Sequence, residues 1–361
     1  MPNPRISVLT TLYNHERYIR STLESALAQT LPPDEIVVMD DASTDASVEA
    51  ARSVAHPSIR ILAETRNLGG PNTMLGLQAC TGEYVAILNS DDCWAPDKLA
   101  KQVAHLERHP ECGAVFTHTR IIDETGMPWS DGASRHAQIF NVPNRSRTAW
   151  LNHLFHRGNA FCASSALIRR RCIDLLGGLD GRYIQMQDFD MWLRIALDGW
   201  GLHLIEEPLT LYRVSRVGTN MSSGGQGARA IHGFEFAKAL RGFWKLNKLE
   251  LLAEIFPNMD IPAGATDSLS LFYLARYAAQ LDSLPHRILA VETMHQWGGN
   301  ISAMRLAHDL HGFTHSDYRN FIATHPFGKL GNTGLKGQLR NLAERFLPYH
   351  AQQWIKARFR H

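Results

Sequence analysis

Tyr84-Val-Ala-Ile-Leu-Asn-Ser-Asp-Asp92 is the stretch on which the reading of this chain turns. Its apolar run is long enough for a buried strand and too short for a helix, and it stops at an amide, a hydroxyl and two adjacent carboxylates. A strand of this kind, delivering acids at its carboxyl end, belongs in an open α/β sheet whose ligands bind at that edge. Upstream the pattern recurs. Ile6 to Thr10 is a β-rich run ending near Tyr13 and Asn14, Glu35 to Met39 runs into Asp40 and Asp41, and Ile59 to Ala63 reads as a further strand. Helical spacings fill the gaps: Tyr18, Ile19, Leu23, Ala26 and Leu27 behind an Asn14 N-cap, then Asp45 to Val54, then a short helix after Gly69-Gly70. Strands alternating with helices predict βαβ units and a mainly parallel central sheet flanked by helices.

Downstream, Pro96 to Arg108 reads as a helix, Gly113 to Thr117 as a strand, and 123–147 as polar and rich in turn formers. Phe161 to Ile168 is strand-like, and Phe189 to Leu197 is amphipathic, with Trp192 expected in the core. Ser222-Ser-Gly-Gly-Gln-Gly227 has linker composition, and helical periodicity dominates from about 228 onward. The expected division is an α/β domain over 1–225 and a mostly α-helical region over 226–361.

Bulk composition narrows the class. With 361 residues, 44% hydrophobic and 20% charged, the chain is neither disordered nor collagen-like. A net charge of +2 gives no reason to expect a nucleic-acid partner. That balance hides one asymmetry: from Lys329 to His361 seven basic residues face the single acid Glu344. Interleaved with Leu335, Leu339, Phe346, Trp354 and Phe359, they suit an anionic membrane surface. Five scattered cysteines without a C-x-x-C pair, no signal-peptide pattern and no apolar run of about 18 to 20 residues set the expectation of a cytoplasmic protein, peripheral on the membrane at most.

No G-x-G-x-x-G follows the first strand and no phosphate-binding G-x-x-x-x-G-K-[ST] occurs, so phosphate must be met differently. Asp91 and Asp92 are hard oxygen ligands suited to Mn²⁺ or Mg²⁺, and Asp40 can accept hydrogen bonds from a base or ribose. In this reading Asp41 and Ser43 make the turn while Asp40 faces the ligand. His105 with His109, and His153 with His156, share helix faces, but neither pair has a further ligand at diagnostic zinc spacing.

Ser7 to Asn14, Val37 to Asp45, Asn67-Leu-Gly-Gly70 and Thr81 to Asp92 together resemble the nucleotide-binding half of the family 2 inverting glycosyltransferases, which have a GT-A fold. Gly177-Gly-Leu-Asp180 and Gln187-Asp-Phe-Asp-Met-Trp-Leu-Arg194 resemble that family's acceptor-side motif, so the likeness spans roughly residues 5 to 220. It implies transfer of a sugar from a UDP- or GDP-linked donor to a saccharide or lipid-linked acceptor, in bacterial surface polysaccharide or lipopolysaccharide assembly. Carried over by position, Thr11 and Tyr13 flank the nucleotide base, Asp40 hydrogen-bonds it, and Asp91 reaches the metal and ribose. Asp92 completes the metal pair, and Asp188 is the general base. Arg213 and Arg216, on a lid-like loop, would clamp the diphosphate, and Trp94 would touch the donor sugar.

Two departures from the family pattern stand out. Asn89 occupies the place of a first acid, and Thr73-Met74 that of an Arg-Asn pair. They motivate a rival reading, a catalytically degenerate binding module. A sugar nucleotidyltransferase is a second rival, although Thr10 to Asn14 lacks its basic, glycine-rich loop.

Overall fold

The structure is a computed structural model that describes residues 5–129, 135–215 and 226–324. The chain divides into two compact units, Met1–Met259 and Asp260–His361. The linker-like stretch before Gln226 lies outside the described residues. Arg216 and the basic tail from Lys329 lie outside the described residues.

The first unit is built on one eight-stranded sheet of order β3-β2-β1-β4-β7-β6-β8-β5. Its first half comes from alternating elements: β1 (Ile6–Leu12), α1 (Ile19–Leu27), β2 (Glu35–Asp40), α2 (Ser47–Arg52), β3 (Ile59–Ala63), α3 (Gly70–Ala79) and β4 (Tyr84–Ile87). These four strands are mutually parallel, with Leu12 beside Asp40 and Leu9 beside Ile87. Strands β1, β2 and β4 are buried almost throughout, as the apolar runs demanded. The expected α/β fold with a mainly parallel sheet and flanking helices is what forms.

The second half is less regular. β5 (Cys93–Trp94) and α4 (Lys98–Arg108) lead to β6 (Cys112–Ile122), longer than the Gly113 to Thr117 expected. Helices α5 (Arg135–Phe140) and α6 (Arg147–Arg157) precede β7 (Leu167–Arg169), after which come α7 (Arg170–Leu176), α8 (Gln187–Leu197) and β8 (Gly201–Arg213). β7 is antiparallel to both β4 and β6, and β8 runs parallel to β6. The strand expected over Phe161 to Ile168 shortens because Ala163–Ser165 winds into a 3₁₀ turn. Trp192 is buried, edge-on to Phe116, which stacks on Phe161 at 4.0 Å.

Asn14 does not cap α1, which starts at Ile19 behind Tyr18. It adopts the left-handed conformation (φ 53°), and its side-chain oxygen accepts from the Thr44 N–H at 2.8 Å. A short polar side chain tolerates that backbone and pins the end of β1 to the loop after β2. The unit finishes with α9 (Gln226–Leu240) and α10 (Leu249–Ile255).

In the second unit the described elements are helices: α11 (Ser270–Ala279), α12 (Leu284–Trp297), α13 (Ile301–His311) and α14 (His315–Thr324). Phe272 and Trp297, 4.8 Å apart, centre its core. Among the described residues no helix is long and apolar enough to cross a membrane.

Candidate active site

Parallel strands bring their carboxyl ends to one edge, and Thr11, Tyr13, Asp40 and Asp91 all meet there. Thr11 is half-buried and Tyr13 is 46% exposed. Asp40 is buried and makes its own turn, accepting from the Ser43 hydroxyl at 2.5 Å and the Ser43 N–H at 3.1 Å. The turn role thus falls to Asp40 and not to Asp41. Asp41 accepts from the N–H groups of Leu68 (2.6 Å) and Gly69 (2.8 Å), which ties the glycine loop to the end of β2.

That loop shows why the glycines matter. Gly69 has φ +63°, and a Cβ on Gly70 would lie 2.6 Å from the Gly181 carbonyl and 2.8 Å from that of Tyr183. Only glycine lets the start of α3 touch the segment that leads into α8.

The two acids after β4 have different surroundings. Asp92 is fully buried, one carboxylate oxygen accepting from the Ser164 hydroxyl and the other from the Arg213 N–H at 2.8 Å. Burial, with the neighbouring Asp91 charge, holds its carboxyl well above the usual range. Asp92 therefore does not fit the metal-ligand role the sequence assigned it: both oxygens are engaged inside the fold.

No side chain among the described residues hydrogen-bonds the Asp91 carboxylate. Burial raises its affinity for a proton, opposed by the charges of His15 and Arg213. An acid under-supplied with partners at a ligand-binding edge is suited to a divalent cation. His15, absent from the sequence-level site, bonds the Ser90 hydroxyl through Nδ1 at 2.8 Å. Thr22, on α1, donates to the carbonyls of Ser90 and Asp92, which fixes the acidic loop.

Two further assignments change with burial. Arg213 is 6% exposed, and its guanidinium donates to the carbonyls of Asp91 (2.6 Å) and Asp123 (2.9 Å) while lying over the Tyr18 ring. It braces the acidic loop from inside and does not present a diphosphate clamp. Trp94 is 3% exposed, donates through Nε1 to the Ser164 carbonyl at 2.7 Å, and has Lys98 Nζ 4.0 Å from its ring centroid. A core position of this kind leaves no face for a donor sugar.

Asp188 opens α8. Its carboxylate accepts from Asn159 Nδ2 at 2.8 Å and from the Phe189 N–H at 2.7 Å. Burial outweighs these bonds and pushes its pKa up to about 6, a value suited to taking a proton near neutrality. The segment leading into α8 is anchored from one helix away: Glu235, buried on α9, accepts from the N–H groups of Ile184 (2.6 Å), Gln185 (2.9 Å) and Met186 (3.1 Å). Asp190, by contrast, pairs with Arg194 at 2.7 Å and is structural.

The segment between α6 and β7 connects the acids. Its Asn159 bonds Asp188, and its Ser164 bonds both Asp92 and the Asn89 N–H. Because β7 is antiparallel to β4, the residues before β7 lie at the edge where β4 ends. Sequence reasoning missed Asn159, Ser164 and Glu235. Each is a single polar residue in an ordinary context, and only the long-range pairing gives it meaning.

Comparison with known proteins agrees with the fold. The sequence profile described as Glycosyl transferase family 2 matches residues 7–172. The chain is 32% identical over 219 residues to the putative glycosyltransferase EpsE of Bacillus subtilis, covering 58% of this chain and 73% of that protein. It is 30% identical over 202 residues to the succinoglycan biosynthesis protein ExoO of Rhizobium meliloti, covering 54% and 53%. Among solved structures, S. aureus TarS 1–349 in complex with UDP-GlcNAc aligns with TM-score 0.52 at 16% identity, over 91% of this chain and 92% of that one. Its likeness is one of fold. With an α/β sheet of the GT-A kind, acids gathered at its carboxyl edge and a relative matched over most of its length, the chain belongs to glycosyl transferase family 2.

Proposed function

We propose that this enzyme transfers a sugar from a nucleoside diphosphate donor, UDP- or GDP-linked, to a hydroxyl acceptor with inversion, using Mn²⁺ or Mg²⁺. The observation that carries the reading is the Asp188 carboxylate, oriented by Asn159 and raised by burial to about 6. Ionised at neutral pH, it accepts the proton of the acceptor hydroxyl as that oxygen attacks the anomeric carbon. A positioned base contributes about 10²–10⁴-fold to such a step. A single base opposite a departing diphosphate makes one displacement, and one displacement inverts the centre.

Asp91 is the residue we assign to the metal and the ribose, with Thr11 and Tyr13 beside the base and Asp40 within the same edge. Asp91 would hold the divalent cation, which when bound would supply charge neutralisation for the departing diphosphate. His15 and the internally braced Arg213 keep the Asp91 loop in place for that contact. TarS, solved with UDP-GlcNAc bound, supports a nucleotide-sugar donor, and ExoO, a succinoglycan biosynthesis protein, supports a polysaccharide setting. The reading also takes in a cytoplasmic location and membrane contact through the basic tail, which deletion of residues 335–361 should abolish in a liposome assay at low salt.

The test is a panel of UDP- and GDP-sugars incubated with the full chain, with and without Mn²⁺ or a chelator. Cation-dependent release of nucleoside diphosphate supports the reading. Release of pyrophosphate identifies a nucleotidyltransferase, and neither turnover nor thermal stabilisation by any donor leaves a binding module.

A further inference from the structure

The opposite edge of the sheet carries a second cluster that glycosyl transfer does not use. The last turn of α4 places His105 and His109 on one face, and their ring centroids are 4.4 Å apart. β8, parallel to β6, sets His203 beside Val115, with its ring 5.1 Å from both of the other imidazoles. Glu111, just before β6, brings Oε1 to 3.2 Å from His109 Nδ1 and 4.0 Å from His203 Nε2. These residues lie at the amino ends of β6 and β8, whereas Asp91 and Arg213 lie at the carboxyl ends of their strands.

We propose that His109 Nδ1, Glu111 Oε1 and His203 Nε2 bind a zinc ion, with water completing the coordination. The three ligand atoms already lie within 4.8 Å of one another. A tetrahedral zinc with bonds of about 2.0–2.2 Å asks for ligand separations of roughly 3.3 Å, so the closure needed is small. The His109 and Glu111 side chains, 41% and 60% exposed, have room to rotate inward, while His203 at 19% is the fixed point.

His105 supplies the outer partner that a zinc-bound histidine requires. Its Nε2 lies 2.8 Å from His203 Nδ1. With His105 Nε2 as acceptor, His203 keeps its proton on Nδ1. That tautomer leaves His203 Nε2 with its lone pair toward Glu111 and His109. Fixing a ligand histidine in this way raises metal affinity.

Cys112 stays outside the set: it is buried, and its Sγ points to the Ala114 carbonyl at 3.1 Å. Imidazole nitrogen selects zinc over the oxygen-seeking Mn²⁺ or Mg²⁺ assigned to Asp91, so the two sites differ in metal class. Bound zinc would clamp the end of α4 to β6 and β8.

The experiment is calorimetric titration of the chelator-treated full chain with ZnCl₂, alongside thermal unfolding. One equivalent should bind and raise Tm by about 4 °C or more at saturating zinc. His203→Ala, His109→Ala and Glu111→Gln should each weaken binding at least about tenfold, and the last two are surface changes that leave folding intact. Asp91→Asn should bind zinc as the parent does, which separates this site from the proposed catalytic metal. The proposal is overturned if no zinc binds, or if His109→Ala and Glu111→Gln bind it as tightly as the parent.

Discussion

The two halves of the sheet were made by different rules. In β3-β2-β1-β4 the strands are parallel to one another, helices follow β1, β2 and β3, and the residues just past the strand ends line the proposed donor edge. In β7-β6-β8-β5 directions mix, with β7 and β5 antiparallel to their neighbours, the strands come from distant segments, and the polar residues turn inward to hold the first half's acids. In the proposed site the first half presents the donor-side acid Asp91, and the second supplies Asp188 on α8 together with the residues that hold both acids in place. Asp91 and Asp92, adjacent in sequence, are divided by this boundary: one faces the edge, the other is bound by Ser164 and Arg213.

The largest expected effect tests the base that the second half supplies. Asp188→Asn should lower kcat by about 10²–10⁴-fold while donor-induced thermal stabilisation persists. The same change should leave stability unaltered or raise it by about 1–2 kcal/mol. The sign follows from the raised pKa: the protonated form is favoured in the fold, and that contribution is lost as pH rises through about 6. An uncharged amide therefore removes a penalty present at pH 7.

The next comparison separates the adjacent acids. Asp92→Ala should destabilise the protein by about 1–3 kcal/mol, since it leaves the Ser164 hydroxyl and the Arg213 N–H buried without an acceptor. Asp91→Ala should leave Tm unchanged or higher and abolish the effect of Mn²⁺ on donor binding. Interchanged results in denaturation and donor titrations would assign the metal to the wrong carboxylate.

A smaller effect is expected at Glu235. In Glu235→Gln one of the two oxygens becomes a donor facing the N–H groups of Ile184, Gln185 or Met186. Stability should fall by about 1–2 kcal/mol and kcat by roughly tenfold through misplacement of Asp188, with KM for the donor unchanged. A loss confined to KM would show that this anchor serves the donor instead.

These outcomes also explain what the sequence could reveal. The apolar runs Ile6 to Thr10, Glu35 to Met39 and Tyr84 to Leu88, each ending in polar groups, encode the parallel half locally, so its strands and edge residues were legible. β8 was not, because its pairing with β6 joins residues some ninety positions apart and its exposed middle lacks a clean alternation. Arg213 and Trp94 have the right chemistry at the right place, and only tertiary burial shows that one braces a loop and the other fills the core. Asn159 reaches Asp188 across 29 residues, Ser164 reaches Asp92 across 72, and Arg213 reaches it across 121. Such contacts have no periodicity to betray them.

The most direct test of the central claim, that the half-buried Asp188 is the base, is the pH dependence of kcat/KM for the enzyme with its preferred donor. The account predicts a rate that rises about tenfold per pH unit on the acid side and levels off above about 6, the value that burial gives this carboxyl. A profile flat from about pH 4.5 to 8, or one whose acid limb survives in Asp188→Asn, would contradict it.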